Sequence, residues 1–199
     1  MAGKLIFHFG TVNSSKTLNL LAIAHNYDSC GWHVCTVKPA LDTRSELIET
    51  RAHVPPRRAD IIISERESFF DYKDAINDAD VILIDECQFL STEQVDELRS
   101  IATSRDIDIL CFGLRTDFNT HLFPAAKRLF ELADEITEVK TICSVCGKHA
   151  SFNAKVRQAS SETCNGPEPY YGGPCDNNNV SPSWDAFEQR CWKHFDYRE

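Results

Sequence analysis

The stretch from Lys4 to Thr17 constrains the fold more than any other part of the chain. An apolar run, Lys4 to Phe9, ends at Gly10, and Lys16-Thr17 then opens a leucine-rich stretch. The apolar run is typical of a buried strand, and the leucines predict a helix that ends near Gly31. A strand, a glycine loop and a helix in this order predict a phosphate-binding loop, in which backbone N–H groups and a lysine bind a nucleotide.

The predicted phosphate loop departs from the usual pattern at one position. Ser15 precedes Lys16, where the pattern G-x-x-x-x-G-K-S/T has a glycine. A serine fits if its backbone is right-handed, because a left-handed backbone favours glycine. Lys16 is expected to reach the outer phosphates and Thr17 to bind Mg²⁺, unless the match is a chance one in a polar turn. The candidate ATP-binding residues of the loop are Gly10, Thr11, Val12, Asn13, Ser14, Ser15, Lys16 and Thr17.

A second motif, VILIDE, is an apolar strand that ends in two adjacent acids, Asp85 and Glu86. In P-loop proteins an acid at such a strand end helps to hold Mg²⁺, which predicts that role for Asp85. Glu86 is the candidate general base, able to take a proton from an attacking hydroxyl. A solvated acid pair in a turn is the alternative, but the two motifs together indicate a nucleoside triphosphate site. The spacing does not separate an ATPase from a kinase.

Apolar runs alternate with helical stretches along the rest of the chain, which predicts an α/β fold with a mainly parallel sheet of about five strands. Ser91 is expected to begin a helix, with Gln94 completing a capping box. The polar segment 38–60 between these elements is predicted to be a long excursion, either a functional lid or a solvated basic loop. The further strands are expected at His33–Val37, Asp80–Asp85, Ile107–Gly113 and Ile136–Ile142, and a further helix is expected at Leu122–Ala133. The excursion also contains four arginines that could reach a phosphate: Arg44, Arg51, Arg57 and Arg58.

Two cysteine motifs, Cys143-Ser-Val-Cys146 and Cys191-Trp-Lys-His194, follow the last predicted strand. Three thiolates and one imidazole form the tetrahedral ligand set of a structural zinc site. A redox CxxC motif is the alternative, although such motifs normally open a helix after the first strand. The pattern predicts an α/β unit of residues 1–142 and a zinc-binding unit of residues 143–199. Cys164 and Cys175 are further ligand candidates, whereas Cys30, Cys35, Cys87 and Cys111 are expected to be buried thiols.

The composition limits the kinds of molecule that the protein is expected to bind and the compartment in which it is expected. The formal net charge of −9 disfavours a protein that binds a nucleic-acid backbone. No apolar run approaches the ~20 residues that span a bilayer, and the N-terminus does not resemble a secretory signal. An odd cysteine count without such a signal favours a reducing compartment, and we expect the cytoplasm.

These motifs, in this order, resemble the type II thymidine kinase family along nearly the whole chain. The matching segments are GTVNSSKT, LIDECQFL, CFGLRTDF, KTICSVCGKHAS and CWKH. The resemblance implies a RecA-like P-loop domain plus a small zinc-stapled lobe whose long loop, the lasso, closes over the nucleoside. It also implies transfer of the ATP γ-phosphate to the 5′-hydroxyl of thymidine, in a homotetramer inhibited by dTTP.

The resemblance also assigns residues. It places Gln88 in the nucleotide site near the nucleoside, and it implies a nucleoside pocket lined by Val12, Phe89, Leu114, Phe118 and Phe187. Phe187 stands where the family commonly has a tyrosine, and residues 164–184 match only at Gly172-Gly173. Without the resemblance these apolar residues would be read as ordinary core. Other hypotheses are a kinase of other deoxynucleosides, deoxyuridine especially, an inactive P-loop relic, and a zinc-ribbon nucleic-acid binder.

Overall fold

A six-stranded parallel sheet forms the centre of the protein in the computed structural model, which describes residues 3–42, 46–52, 54–157 and 185–195. The strands are β1 (Leu5–Phe9), β2 (Val34–Pro39), β3 (Leu47–Ile48), β4 (Arg57–Arg58), β5 (Ile61–Ile63), β6 (Val81–Ile84), β7 (Asp108–Gly113), β8 (Glu135–Glu138), β9 (Thr141–Ile142), β10 (His149–Ala150), β11 (Phe152–Arg157) and β12 (Asp185–Arg190). The α-helices are α1 (Lys16–Ser29), α2 (Lys73–Asn77), α3 (Thr92–Arg105) and α4 (Pro124–Leu132), and short 3₁₀ turns lie at Phe69–Tyr72, Cys87–Phe89 and Trp192–His194.

The strands of the central sheet lie in the order β5-β2-β6-β7-β1-β8. Every neighbouring pair is parallel, so the carboxyl ends of all six strands meet at one edge. Strand β7 separates β1, which leads into the glycine loop, from β6, which leads into the acid pair. The α/β prediction with a mainly parallel sheet is therefore confirmed.

Both faces of the sheet are buried, because successive residues of a strand point to opposite sides. Leu5 and Phe7 pack with residues of α3 and α4 on one face, whereas Leu83 packs with residues of α1, among them Leu20, on the other. Parallel strands covered on both faces are continuously apolar, as the run Val81–Ile84 is. The core thus holds the carboxyl edge rigidly while the loops at that edge remain available for chemistry.

The structure corrects several predicted elements. Ile61–Ile63 forms β5, an edge strand beyond those predicted, which pairs with β2. The predicted strand 136–142 is instead divided into β8 and the short β9, and β9 pairs with β10 in a separate hairpin. The capping box at Ser91 and Gln94 is confirmed, since each side chain accepts the other's backbone N–H.

The segment 38–60 is more ordered than the predicted excursion. Strands β3 and β4 pair in an antiparallel ladder, and Ile48 is fully buried against the α1 side of the core. At the end of β2, the Lys38 ammonium lies 3.1 Å from the Asp42 carboxylate, and both side chains are buried. The described part of the segment is therefore tied to the sheet, while Arg44 lies outside the described residues.

Two small hairpins, β9–β10 and β11–β12, follow the central sheet. The Ser144 N–H donates to the Gln189 carbonyl at 3.1 Å, and the Ser151 N–H donates to the Arg190 carbonyl at 3.0 Å, so the hairpins join each other. They bring Cys143 and Cys146 close to Cys191. The division of the chain at residue 142 into two domains stays a prediction, and Cys164, Cys175 and Gly172-Gly173 lie outside the described residues.

Candidate active site

The glycine loop after β1 wraps tightly around its own side chains. A Cβ atom at Gly10 would meet the Ser14 Oγ at 2.4 Å and the Val139 carbonyl at 2.6 Å, so only glycine fits there. Its N–H donates to the Gly113 carbonyl at 3.2 Å, which ties the start of the loop to the end of β7. Thr11 and Ser14 are buried within the loop. These contacts give the loop a compact course that leads into the N-terminus of α1.

Ser15 does not adopt the right-handed backbone that the sequence interpretation required of a serine. Its φ is 64° and its ψ is 24°, in the left-handed region, and it caps α1 without a side-chain hydrogen bond. Asn13 is also left-handed, with φ 58°. A left-handed residue other than glycine costs about 1–2 kcal/mol, less for asparagine. The loop therefore contains two strained positions, and one of them is where the usual motif has glycine.

Lys16 begins α1 with its ammonium turned back into the loop. Its Nζ donates to the Thr11 carbonyl at 2.7 Å and to the Ser14 hydroxyl at 3.3 Å. Burial lowers the pKa of this ammonium, and the nearby carboxylates of Glu86 and Asp85 act in the opposite direction. The lysine thus carries its charge to the centre of the loop, where a phosphate would lie.

Thr17 and Asp85 bring the two sequence motifs into contact. The Thr17 Oγ1 lies 3.2 Å from the Asp85 Oδ1 and donates to that carboxylate. Burial and the neighbouring Glu86 carboxylate together raise the pKa of Asp85 to about 7, although the hydrogen bond from Thr17 opposes this shift. A hydroxyl and a carboxylate are the oxygen ligands that Mg²⁺ accepts beside nucleotide phosphates. The donor set therefore fits a magnesium ion, whose positive charge would return this carboxylate to its ionised form.

Glu86 lies next to Asp85 in a strained backbone conformation, with φ 50° and ψ 40°. Its Oε2 accepts a hydrogen bond of 2.6 Å from the Gln88 side chain, and the other end of that amide accepts the Leu114 N–H at 2.9 Å. Gly113 makes this approach possible, because a Cβ there would meet the Gln88 Oε1 at 2.6 Å. Gln88 thus orients the Glu86 carboxylate and joins it to the loop after β7. Left-handed residues held in this way are frequent at catalytic sites.

The three phenylalanines predicted to line the nucleoside pocket belong to two separate pairs of packed rings. Phe118 packs against Phe187 with ring centroids 6.0 Å apart, and the Lys155 ammonium lies 5.4 Å above the Phe118 ring. Phe89 instead packs edge-on against Phe123, at 6.2 Å. Phe118 and Phe187 are each more than one-third exposed, so an aromatic ligand could cover them. Their role in binding stays a prediction.

The arginines of segment 38–60 divide into two groups. Arg51 reaches the phosphate loop, where its Nη1 donates to the Asn13 Oδ1 at 2.7 Å. Arg57 instead pairs with Asp28 at 2.5 Å, and Arg58 pairs with Glu46 at 3.2 Å. Of the described arginines in this segment, Arg51 alone touches the phosphate loop.

The predicted zinc ligands Cys143, Cys146, Cys191 and His194 form one cluster, with all ligand atoms within 4.8 Å of one another. The sulfur atoms of Cys146 and Cys191 are 3.7 Å apart, close to the edge of about 3.8 Å in a tetrahedron with zinc–sulfur distances near 2.3 Å. Burial raises the pKa of Cys143, but backbone hydrogen bonds and the Cys146 side chain together outweigh burial, lower the pKa to about 6 and favour the thiolate. The residues therefore fit a tetrahedral zinc ion.

The other cysteines of the described residues are mostly structural. Cys35, Cys87 and Cys111 are buried as predicted, and burial raises the pKa of each thiol, so they are poor nucleophiles. Cys30 is exposed, which corrects the prediction that it is a buried thiol. It follows the last turn of α1, where its N–H caps the helix but its side chain is not covered.

Sequence reasoning missed two polar side chains that touch the phosphate loop. The Val12 N–H donates to the Asn153 Oδ1 at 2.8 Å, and the Asn13 side chain donates to the Gln189 Oε1 at 2.9 Å. Asn153 and Gln189 are directly opposite each other in the β11–β12 hairpin. The one available signal was a polar asparagine at the second position of the strand sequence FNAKVR, and it does not identify a partner 141 residues away.

Comparison with known proteins identifies relatives of this chain. Curated thymidine kinases match it over most of their own length: that of Streptococcus agalactiae serotype V is 40% identical over 150 residues, which are 75% of this chain and 79% of the relative. The thymidine kinase of Enterobacteria phage T4 is 36% identical over 175 residues, covering 83% of this chain and 90% of the relative. The thymidine kinase of Lactobacillus acidophilus is 34% identical over 179 residues, covering 85% and 86%.

Three further observations accompany these matches. Among solved structures, a crystal structure of a DNA replication initiation factor covers 68% of this chain and 40% of its own with a TM-score of 0.41 and 17% identity, too distant to bear on function. Across the part of the chain that the structure describes, the helices are too short or too polar to cross a membrane. A profile of the thymidine kinase family matches residues 3–178. The chain therefore belongs to the thymidine kinase family.

Proposed function

We propose that this protein is an ATP-dependent thymidine kinase, which transfers the γ-phosphate of Mg-ATP to the 5′-hydroxyl of thymidine. The observation that carries this proposal is the contact of Thr17 with Asp85, because it joins the phosphate loop to the acid pair at one edge of the sheet. Phosphoryl transfer requires positioned phosphates, a metal ligand and a group that orients the nucleophile. The identity of the proposed substrate, thymidine, comes from the curated relatives, which are named thymidine kinases.

The loop from Gly10 to Thr17 binds the phosphates in this proposal. The backbone N–H groups at the start of α1 and the Lys16 ammonium face the γ- and β-phosphates, replacing the internal contacts of Lys16 with Thr11 and Ser14. Thr17 and Asp85 would hold the magnesium ion. That ion, when bound, offsets the charge that develops on the transferred phosphoryl group.

Glu86 accepts the proton of the 5′-hydroxyl as the oxygen–phosphorus bond to thymidine forms. The bond from the γ-phosphorus to the bridging oxygen of ADP breaks, and ADP leaves with the electron pair. The hydrogen bond from Gln88 and the rigid backbone at the end of β6 aim the Glu86 carboxylate. A base whose orientation is fixed before the substrate binds lowers the entropic part of the barrier.

The nucleoside base is placed against the ring pair of Phe118 and Phe187, with Val12, Phe89 and Leu114 contributing to the same pocket. Apolar walls suit a flat pyrimidine, whose polar edge then needs fixed hydrogen-bond partners. We assign these partners to the lasso, residues outside the described range. Deoxyuridine, which differs from thymidine by one methyl group, is the second substrate to test, since one methyl group in an apolar pocket changes specificity by roughly 10–200-fold.

The remaining parts of the proposal follow from the family. Zinc held by Cys143, Cys146, Cys191 and His194 staples the small hairpins, dTTP acts as a feedback inhibitor, and the enzyme works in the cytoplasm as a homotetramer without nucleic-acid partners. The Cys/His cluster supports the zinc assignment directly. Sedimentation of the purified protein with and without dTTP would measure the oligomeric state.

The test is product formation from Mg-ATP with thymidine, deoxyuridine and deoxycytidine assayed in parallel. The proposal predicts rapid formation of TMP, a kcat/KM for deoxyuridine that is roughly 10–200-fold lower than that for thymidine, and little product from deoxycytidine. Absence of product from every nucleoside, in folded protein with zinc bound, would identify an inactive P-loop relic. Salt-dependent binding of DNA in a filter assay would instead favour the zinc-ribbon hypothesis.

A further inference from the structure

The phosphate loop is held from outside by the β11–β12 hairpin, through two side chains that face each other across its strands. Asn153 on β11 accepts the backbone N–H of Val12, and Gln189 on β12 accepts the side-chain N–H of Asn13. Since the two residues are register partners, one pair of neighbouring positions on the hairpin contacts two successive residues of the loop. This hairpin is distant in sequence from the loop, so the contact belongs to the tertiary fold.

The Asn153 amide is fixed at both ends. It is 4% exposed, and its Nδ2 donates to the Thr116 carbonyl at 2.9 Å while its Oδ1 accepts from Val12. One end thus contacts the loop after β1 and the other contacts the loop after β7. A buried amide with both ends satisfied cannot turn without leaving polar groups unpaired, which makes it a rigid spacer between the two loops.

The phosphate loop needs such outside support because of its own backbone. Asn13 and Ser15 both have left-handed φ values, at 58° and 64°. A loop with two residues in this region stays in that conformation only when its surroundings over-determine it. The Val12 N–H lies directly before the first of these residues, and its hydrogen bond to Asn153 fixes where the turn begins.

The contact also decides which backbone groups are free to bind a nucleotide. The Val12 N–H is used by Asn153, so the phosphates are left to the N–H groups that follow it and to Lys16. The Arg51 guanidinium donates to the Asn13 Oδ1 at 2.7 Å, and the Thr141 hydroxyl donates to the Asn13 carbonyl at 3.3 Å. Asn13 is thus held by three separate segments, and the hairpin is the one that also holds Val12.

We propose that Asn153 and Gln189 are positioning residues for the phosphate loop, which act through Val12 and Asn13 to set the affinity for the nucleotide. The proposal rests on the proposed function, because it assumes that this loop binds ATP. It extends that function by giving the β11–β12 hairpin a role at the phosphate end of the site. Neither side chain takes part in the chemistry.

The test is the dissociation constant of Mg-ADP, measured by isothermal titration calorimetry on the zinc-loaded full chain. Asn153→Ala should weaken binding about tenfold, because a buried hydrogen bond that supports the bound conformation is lost. Gln189→Ala should weaken it about threefold, since its contact is more exposed. In steady-state assays the KM for ATP should rise more than kcat falls, since Asp85 and Glu86 keep their contacts.

Gln94→Ala is the matched control. Gln94 is a buried amide with two backbone carbonyl partners, those of Ser64 and Glu67, and neither partner belongs to the phosphate loop. It should lose thermal stability as Asn153→Ala does, yet keep the Mg-ADP affinity within about twofold.

The outcomes separate this inference from the function on which it rests. A wild-type protein that does not bind Mg-ADP would contradict the proposed function itself. Normal wild-type binding with unchanged affinity in both hairpin variants would overturn the inference and leave Asn153 and Gln189 as structural residues only. If Asn153→Ala does not fold, Gln189→Ala decides, and an unchanged affinity there is sufficient to overturn the inference.

Discussion

The hydroxyl of Thr17 donates to the carboxylate of Asp85 across a separation of 68 residues, with Oγ1 and Oδ1 3.2 Å apart. This hydrogen bond joins the end of β6 to the start of α1, although β7 lies between β6 and β1 in the sheet. The two ligands proposed for magnesium therefore already face each other in the free protein. Little reorganisation is needed when Mg-ATP binds, but the buried carboxylate destabilises the free protein.

Asp85→Asn should stabilise the free protein while removing activity. The folded pKa of Asp85 is raised to about 7, so the stability given by its protonated form is complete below the unfolded value of 3.8 and is lost as pH rises through 7. The variant cannot ionise, so its free energy of unfolding should increasingly exceed that of wild type between about pH 4 and 7. Above pH 7 this difference, the stability margin, should stay constant at a few kcal/mol, at ~1.4 kcal/mol per pKa unit. Urea denaturation across this pH range in magnesium-free buffer measures the margin. A margin independent of pH would contradict the assignment.

Ser15→Gly should relax the phosphate loop. The left-handed backbone of Ser15 is strained, whereas glycine adopts it freely, so the variant should be more stable by about 0–1 kcal/mol after the greater freedom of the unfolded chain is subtracted. Its affinity for Mg-ADP should be equal to or tighter than that of wild type. Thermal melting and calorimetry measure both quantities.

The control for this variant is Asp106→Gly, since Asp106 is also left-handed, with φ 54°, at the end of α3. It should leave nucleotide affinity unchanged. Weaker nucleotide binding by Ser15→Gly would mean that the serine hydroxyl itself contributes to the site.

Loss of a zinc ligand should affect the nucleotide site as well as folding. Cys146→Ser removes one of four clustered ligands, and the β11–β12 hairpin, which lies between Cys146 and Cys191 in the chain, also holds the phosphate loop. We expect about one zinc ion per chain in wild type, zinc loss in the variant, a lower melting temperature and weaker binding of Mg-ADP. Cys30→Ser, at an exposed cysteine outside the cluster, should change none of these. Wild-type protein that is fully folded without zinc would contradict the structural role of the metal.

Phe187→Ala should weaken the binding of thymidine more than that of ATP. The ring of Phe187 packs on Phe118 in the proposed nucleoside pocket, and its loss should raise the KM for thymidine about tenfold, as expected when an aromatic contact is truncated. Phe70→Ala is the control, because Phe70 is 46% exposed and Phe187 is 44% exposed. Equal KM values for thymidine in the two variants would exclude Phe187 from the pocket.

Local patterns were sufficient to predict most of the central sheet, although not its edge strand β5. The runs LIFHF and VILI are short and mostly apolar. Parallel strands have such continuous apolar sequences because both of their faces are buried. The strand at Ile61–Ile63 was missed because three residues give no periodicity, although the run DIIIS was visible. Its register depends on pairing with β2, a contact that the local sequence does not encode.

The proximity of the candidate site residues was predictable where the spacing of a motif determines it. Lys16, Thr17 and Asp85 belong to motifs in which a few residues determine the geometry, and the structure brings them together. The left-handed backbones of Ser15 and Glu86 were not predictable, because neither position carries the glycine that normally marks such a conformation. Asn153 was missed because its two partners come from different loops, and only the assembled fold brings these together.

The most direct test of the whole account is the rate of TMP formation from thymidine and saturating Mg-ATP, compared between wild type and Glu86→Gln. Glu65→Gln, at an exposed glutamate outside the site, serves as the control. We predict that wild type and the control form TMP at equal rates, whereas Glu86→Gln binds Mg-ATP normally and is slower by about 10²–10⁴-fold, as expected for loss of a general base. A near-normal rate in Glu86→Gln would remove the base from the mechanism, and no TMP from wild type would contradict the assignment of this protein as a thymidine kinase.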